Sequence, residues 1–348
     1  MPPDVAGIAL RAAVATLSAV SVVALVLLVW RIADILLLVF ASVLLALLLR
    51  GLADWIARRT GAPIAVGLGA AIGLILLAAI GSLWLFGAEI AGQFDHLTRM
   101  VPDAWARTRD LLEDHRWGLA LVRLIEDFEP SDIAGGVLRN VRGATMALAS
   151  FVAAMVLVVV GGVYLAVEPS LYRRGLLHLL PRRGRARAEA VLDHCGAALR
   201  QWLKGQVLAM AMIGTLSGLG LGLLGVPSAA ALGLIAGLAE FVPFVGPIAG
   251  AVLALLVASA LGPATMLWVL ILFLAIQQIE GNLVTPLIER RLVSLPMALT
   301  LFSIVAMGVV FGPLGVLLAT PLTVLLYALV AKLYVEGVLG RRVPPPGG

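Results

Sequence analysis

Apolar positions in this chain form long unbroken runs instead of alternating or recurring every third or fourth residue. One run covers about Ala13 to Trp30, and after the short link Arg31-Ile32-Ala33-Asp34 a second covers about Ile35 to Leu49. Others cover about Ile64 to Gly87, Thr145 to Val167, Gln206 to Leu224 and Ala264 to Ile279. Runs near 18 apolar residues predict bilayer-spanning helices. Lipid offers the backbone no hydrogen bonds, so the chain must satisfy its own as helices. A transmembrane β-barrel would alternate apolar and polar residues, and Val22-Val23-Ala24-Leu25-Val26-Leu27-Leu28-Val29 does not. The first run lacks a small-residue cleavage site and leads straight into the next, so it reads as a retained span and not a signal peptide.

Two apolar stretches are interrupted. Pro227 to Leu261 is cut by Glu240-Phe241-Val242-Pro243-Phe244-Val245-Gly246-Pro247, and Pro296 to Val335 is cut at Gly312-Pro313. Proline removes a backbone donor and clashes with the preceding turn, so both stretches must break. The halves of the first, at about 14 residues, are short for a crossing, and a re-entrant hairpin fits better. Each broken stretch follows one span and has the same order of proline, apolar helix, Gly-Pro and small-residue helix. One crossing separates them, so they would enter from opposite sides as an inverted repeat, with binding near the midplane where helices break. Two ordinary helix pairs with tight Gly-Pro turns are the alternative. The expected architecture is an all-α polytopic membrane protein with about 6–8 transmembrane helices and two re-entrant helical hairpins in an inverted-repeat arrangement.

Charge supplies the topology. The chain is 61% hydrophobic and 13% charged over 348 residues, where a soluble domain has about 25% charged residues. The loop with Arg50, Asp54, Arg58 and Arg59 is basic, as is the connector from Glu168 to Lys204 with Arg182-Arg183-Gly184-Arg185-Ala186-Arg187. Residues 88–143 carry ten acidic residues against seven arginines, with apolar residues at helical spacing. The positive-inside rule puts the basic loops and both termini in the cytoplasm and the acidic helical module outside. The net charge of +5 is thus a topology signal touching anionic head groups, and nucleic acid is not an expected partner. The stretch Ala188 to Trp202 reads as an amphipathic helix lying against the membrane or the bundle. The expected domains are 1–62, an N-terminal helix pair; 63–167, helices flanking the acidic module; 168–204, the basic connector; 205–338, a transport module with both hairpins; and 339–348, a disordered tail.

Ionisable residues inside a membrane protein are costly and are functional candidates by default. Glu240 sits at the first break. Glu280 lies in Gln277-Gln278-Ile279-Glu280-Gly281-Asn282-Leu283-Val284-Thr285-Pro286, where Gln278, Asn282 and Thr285 share one helix face and Gln277 and Glu280 another. Gly281 would permit close backbone approach and Pro286 would free a carbonyl. Burial favours the neutral form of a carboxyl, which would let Glu240 or Glu280 exchange a proton near neutral pH. Against that, Glu280 would pair with Arg290 or Arg291 as a structural lock, and Glu240 would cap nearby backbone donors. The expected site is Glu240, Gln277, Gln278, Glu280, Asn282 and Thr285, with helix breaks at Pro243, Gly246, Pro247, Gly281, Pro286, Gly312 and Pro313.

Other motifs carry no chemistry. Gly220-Leu221-Gly222-Leu223-Leu224-Gly225 fits a dinucleotide fingerprint by letters but follows no strand, and reads as a helix-packing surface. There is no phosphate-binding Gly-Lys-Ser or Gly-Lys-Thr and no His-Glu-x-x-His, so neither an ATP-driven pump, an intramembrane metalloprotease nor any other enzyme is expected. Cys195, the single cysteine, cannot form an intramolecular disulfide, and no metal or cofactor is implied.

The segments Glu240 to Pro247, Gln278 to Pro286 and Phe311-Gly312-Pro313-Leu314-Gly315-Val316-Leu317-Leu318-Ala319-Thr320-Pro321 together resemble the autoinducer-2 exporter family of bacterial permeases, and the layout agrees along nearly the whole chain. The resemblance implies an inner-membrane permease that assembles as a homo-oligomer, a pentamer in the family's pattern, and moves a transport module against a scaffold. It implies a small polar solute such as autoinducer-2, or, as in some relatives, sodium(lithium)/proton antiport. A non-transporting membrane scaffold is the third expectation.

Overall fold

The computed structural model describes residues 14, 16–18, 20–24, 27–28, 30–78, 80–81, 141–259, 261–284 and 296–341. The acidic module lies almost wholly outside these residues, as do Thr285, Pro286, Arg290 and Arg291. Among the described residues the structure is helical, with no strand. The helices are α1 (Ala33–Thr60), α2 (Ile64–Ala78), α3 (Val141–Val167), α4 (Pro169–His178), α5 (Arg185–Leu223), α6 (Ala229–Ala239), α7 (Val245–Ser259), α8 (Pro263–Ile279) and α9 (Met297–Val330). Single turns of π-helix extend α8 over Glu280–Val284 and α9 over Ala331–Glu336. Among the described residues four helices are, by length and composition, long and apolar enough to cross a membrane, and the bent pair α3–α4 makes a fifth if counted as one span.

α1 does not stop at Leu49, where the apolar run ends. It continues through Arg50 and the basic segment to Thr60, because no residue there breaks a helix. It ends at Gly61, whose left-handed backbone (φ 71°) lets its N–H bond to the Ala57 carbonyl. Arg58 and Arg59 in the last turn complement the negative end of the helix dipole. α2 packs back on α1, where a Cβ on Gly67 would overlap the Ala53 carbonyl.

α3 lies beside α1 and runs in the same direction. Gly161 sits on Ser42 and Gly162 on Leu45. Further along, Arg50 donates through Nε to the Ala166 carbonyl (2.6 Å) and through Nη2 to the Val167 carbonyl (3.0 Å). A guanidinium thereby satisfies two of the carbonyls that a helix C-terminus leaves open. Two parallel spans require the chain to recross between them, an odd number of times.

α5 corrects the expected division into connector and span. It is one helix of 39 residues, about 58 Å long. Its first half is not a surface helix: Val191, Cys195, Ala198, Leu199 and Trp202 are buried at helical spacing against α1 and α9, with Leu37, Leu44, Leu318 and Val324. Of the two expected settings for Ala188 to Trp202, the bundle is the one found. Farther along, glycines let α6 approach, since a Cβ on Gly233 would overlap the Gly218 backbone and one on Gly237 the Met210 carbonyl. Gly220, within the false dinucleotide motif, packs under Leu272 of α8.

The end of α9 returns to the start of α5. Arg187 donates to the Leu333 carbonyl (3.1 Å), and Lys332 pairs with Glu336 within the same turn. The ends of α1, α3 and α9 and the start of α5 therefore gather at one end of the bundle, where the arginines are.

Candidate functional site

The first break is a turn of five residues. α6 ends at Ala239, and Glu240 N–H still bonds to the Ala236 carbonyl (3.1 Å). Phe244 takes positive φ (67°) and α7 starts at Val245. Gly246 and Pro247 thus lie in the first turn of α7, where proline is tolerated, and are not themselves the break. Gly246 is needed for closeness, because a Cβ would overlap the Ala239 carbonyl. At 11 and 15 residues, α6 and α7 are about 17 and 23 Å long, shorter than a bilayer core of about 30 Å.

The second break is a single residue. Gly312 has φ 60° and ψ −147°, a conformation essentially confined to glycine. Residues eight apart in an unbroken helix are about 12 Å apart. Across Gly312, a Cβ on Gly315 would overlap the Met307 carbonyl, and Gly308 abuts Val316. The chain therefore doubles back, and α9 is two limbs meeting at Gly312-Pro313. The matched Gly-Pro pairs do not have matched geometry: one glycine opens a helix and the other is the bend. Phe241 from the first break and Met307 and Phe311 from the second pack on the same apolar cluster of α5, with Phe241 edge-on to Trp202 at 5.6 Å.

Glu240 is 2% exposed, and the carboxyl nearest to its own is that of Glu280. Its Oε2 is buried with no partner among the described residues. Gln277 Nε2 donates to Glu280 Oε2 (2.9 Å). Asn282 Nδ2 donates to the Gln278 carbonyl (2.9 Å) and to Gln278 Oε1 (3.2 Å). Gln277 and Glu280 thus pair along one face and Gln278 and Asn282 along another, while Thr285 lies outside the described residues. Gln277, Gln278 and Asn282 are exposed, Glu280 is half-buried and Glu240 lies innermost, so the polar groups are graded inward. Glu280 keeps its own i→i−4 bond, to the Ile276 carbonyl, and a π-turn starts at it, a feature frequent at functional sites. Gly281 has no neighbour within 4 Å of a Cβ position; close backbone approach is not its role against the described residues.

Gln206 was not singled out by the sequence. Half-buried in α5, it donates through Nε2 to the Glu240 backbone carbonyl (2.5 Å). An amide opening a long apolar run was the available signal. Neither acid is ion-paired with a described cation. The lock through Arg290 or Arg291 falls outside the described residues. Among those residues no cluster of His, Cys, Asp and Glu fits a metal ion.

A protein-family model described as "AI-2E family transporter" matches residues 19–334. The chain is 26% identical to the Bacillus subtilis protein named "Putative transport protein YueF" over 276 residues, 76% of this chain and 73% of that one. It is 31% identical to the B. subtilis "Putative transport protein YrrI" over 163 residues, 47% of this chain and 46% of that protein, so this match spans about half of each. A Mycobacterium tuberculosis relative, "Putative transport protein MT0215", is 36% identical over 105 residues, 30% of this chain and 29% of its own. With the family model spanning nearly the whole sequence, this multi-pass membrane chain belongs to the AI-2E family of transporters.

Proposed function

We propose that the chain is a secondary exporter of a small polar solute, coupled to protons through Glu240 and Glu280. The observation that carries this reading is the meeting of a buried carboxyl on a broken helix with a second carboxyl on a π-turn. Two neighbouring carboxyls resist being charged together, so the pair would hold one proton. Polar groups in a membrane protein face its interior or a water-filled cavity, so exposed Gln277, Gln278 and Asn282 would line the approach. Thr285 would extend that face. The amides offer donors and acceptors, suited to a neutral hydroxylated solute, and autoinducer-2 is the first to test. Re-entrance of both hairpins from opposite sides, a homo-oligomeric assembly, and a bacterial inner-membrane location with both termini cytoplasmic belong to the same proposal.

A second reading, sodium(lithium)/proton antiport, is supported by the same oxygen donors and by Glu240 Oε2 lacking a partner among the described residues. Flux in proteoliposomes with an internal pH-sensitive dye separates the readings. Proton movement driven by autoinducer-2 and lost in Glu280→Gln supports export; movement driven by sodium or lithium supports antiport. Failure of every flux assay together with a co-purifying partner would replace both with a scaffold.

A further inference from the structure

We propose that α4 is an interfacial helix that binds anionic phospholipid head groups, with Leu171, Tyr172 and Leu176 among the acyl chains and Arg174 and Arg182 on the phosphates. α3 and α4 meet at 87°. The turn is fixed at Glu168-Pro169, since Pro169 cannot continue the hydrogen bonding of α3 and serves as a first helical residue. A helix at right angles to a membrane span lies along the membrane surface.

α4 has three distinct sides. Arg173 and Leu177, at i and i+4, are its half-buried residues and face α5; the Arg173 guanidinium bonds Glu189 (2.9 Å) and Asp193 (2.8 Å) there. The second side holds Leu171, Tyr172 and Leu176, all exposed, and continues to Leu179, which is 83% exposed. The third holds Arg174 and His178. Arg174 and Arg182 are exposed and take part in no ion pair among the described residues. An apolar side flanked by unpaired arginines is the pattern of a helix seated in an anionic interface.

A separate set of residues places this elbow at the depth of the head groups. Arg50 binds the carbonyls just before it. One to two turns beyond Arg50, Trp55 is exposed with the Arg59 guanidinium 5.8 Å from its ring centre. Tyr164 and Tyr172 are exposed on either side of the elbow. Tryptophan and tyrosine collect at membrane–water boundaries, and here three of them ring the same bend. The lipid is thus expected on the arginine-rich side of the bilayer, independently of what the transporter carries.

The test uses the full chain in vesicles of phosphatidylcholine with or without phosphatidylglycerol. Spin labels at Leu176→Cys and Ser170→Cys, in a Cys195→Ser background, are read for collision with oxygen and with a water-soluble nickel chelate. The expected result is oxygen-favoured collision at 176 and nickel-favoured collision at 170. A label at 176 open to nickel would put that side in water; one shielded from both reagents would put a second copy or another protein there. Either overturns the proposal. Phosphatidylglycerol retained after detergent extraction should fall about fivefold for each of Arg174→Gln and Arg182→Gln, with Arg174→Lys retaining it. Equal retention in wild type and the double variant would also overturn it.

Discussion

Replacing Glu280 by glutamine distinguishes a coupling pair from a structural lock, because the two predict opposite changes in stability. In the wild type Glu240 Oε2 is buried with no partner among the described residues, and the neighbouring Glu280 carboxyl can donate only while it holds a proton. An amide at 280 offers the Glu240 carboxyl a permanent N–H donor, while its carbonyl can keep the bond from Gln277 Nε2. Leaving a buried polar atom unsatisfied costs about 1–3 kcal/mol, so supplying a donor should recover part of that. At about 2–4 °C per kcal/mol, the thermal midpoint of the detergent-solubilised protein should rise by a few degrees. The same variant should lose solute-driven proton movement, since an amide carries no exchangeable charge. A midpoint lowered by several degrees would refute the reasoning: it would mean that a cation such as Arg290 or Arg291 holds Glu280. Unchanged proton flux would remove Glu280 from the coupling role whatever the midpoint did.

Four other expectations follow from contacts outside the carboxyl pair. Gln206→Leu leaves the Glu240 carbonyl without its side-chain donor and should slow flux about fivefold to a hundredfold if the 1–3 kcal/mol of an unmade buried bond appears in the transport barrier; initial rates in proteoliposomes check this against wild type. Gly233→Val would drive a side chain into the Gly218 backbone and should abolish the monodisperse peak in size-exclusion chromatography, whereas a folded variant would show that α5 and α6 can separate. Arg50→Met removes two charge-assisted bonds to α3, worth about 1.5–3 kcal/mol each, and should lower the thermal midpoint by several degrees. Gly312→Ala forces an unfavourable backbone costing about 1–3 kcal/mol; protease sensitivity of the 297–330 segment should increase, and no change would show that the bend tolerates a Cβ.

Helix positions were legible where composition alone decides them. α8 begins at Pro263 after Gly262, within a residue of the expected start, because a proline and the last polar group bracket an uninterrupted apolar run. Boundaries set by partners were not legible. Nothing in Leu49-Arg50 says that the arginine will reach carbonyls on a helix more than a hundred residues away, so hydropathy alone ends the helix at Leu49. Nor does Gly205 announce that α5 passes through it unbroken. The likeness of Gly246-Pro247 to Gly312-Pro313 was real in sequence but uneven in geometry. A Gly-Pro pair fits equally the first turn of a helix and a reversal between two, and only the residues before it, a five-residue turn in one case and none in the other, decide which.

The site was legible for a different reason. In an apolar segment every charge and amide must be answered by another polar group, so Glu240, Gln277, Gln278, Glu280 and Asn282 stand out one at a time. Their pairings along one helix, at i and i+3 or i+4, follow from periodicity and are present as expected. What spacing cannot supply is the approach of Glu240 to Glu280, forty residues apart on different helices. That approach depends on Gly246 tightening the first break, on the glycines that seat α6 against α5, and on Gln206 holding the backbone at the tip. Under the proposed coupling the glycines set the distance between the acids, so a mild variant on the α5–α6 seam such as Gly214→Ala, whose Cβ would press on the Gly233 carbonyl, should reduce solute-driven proton movement without touching either carboxyl.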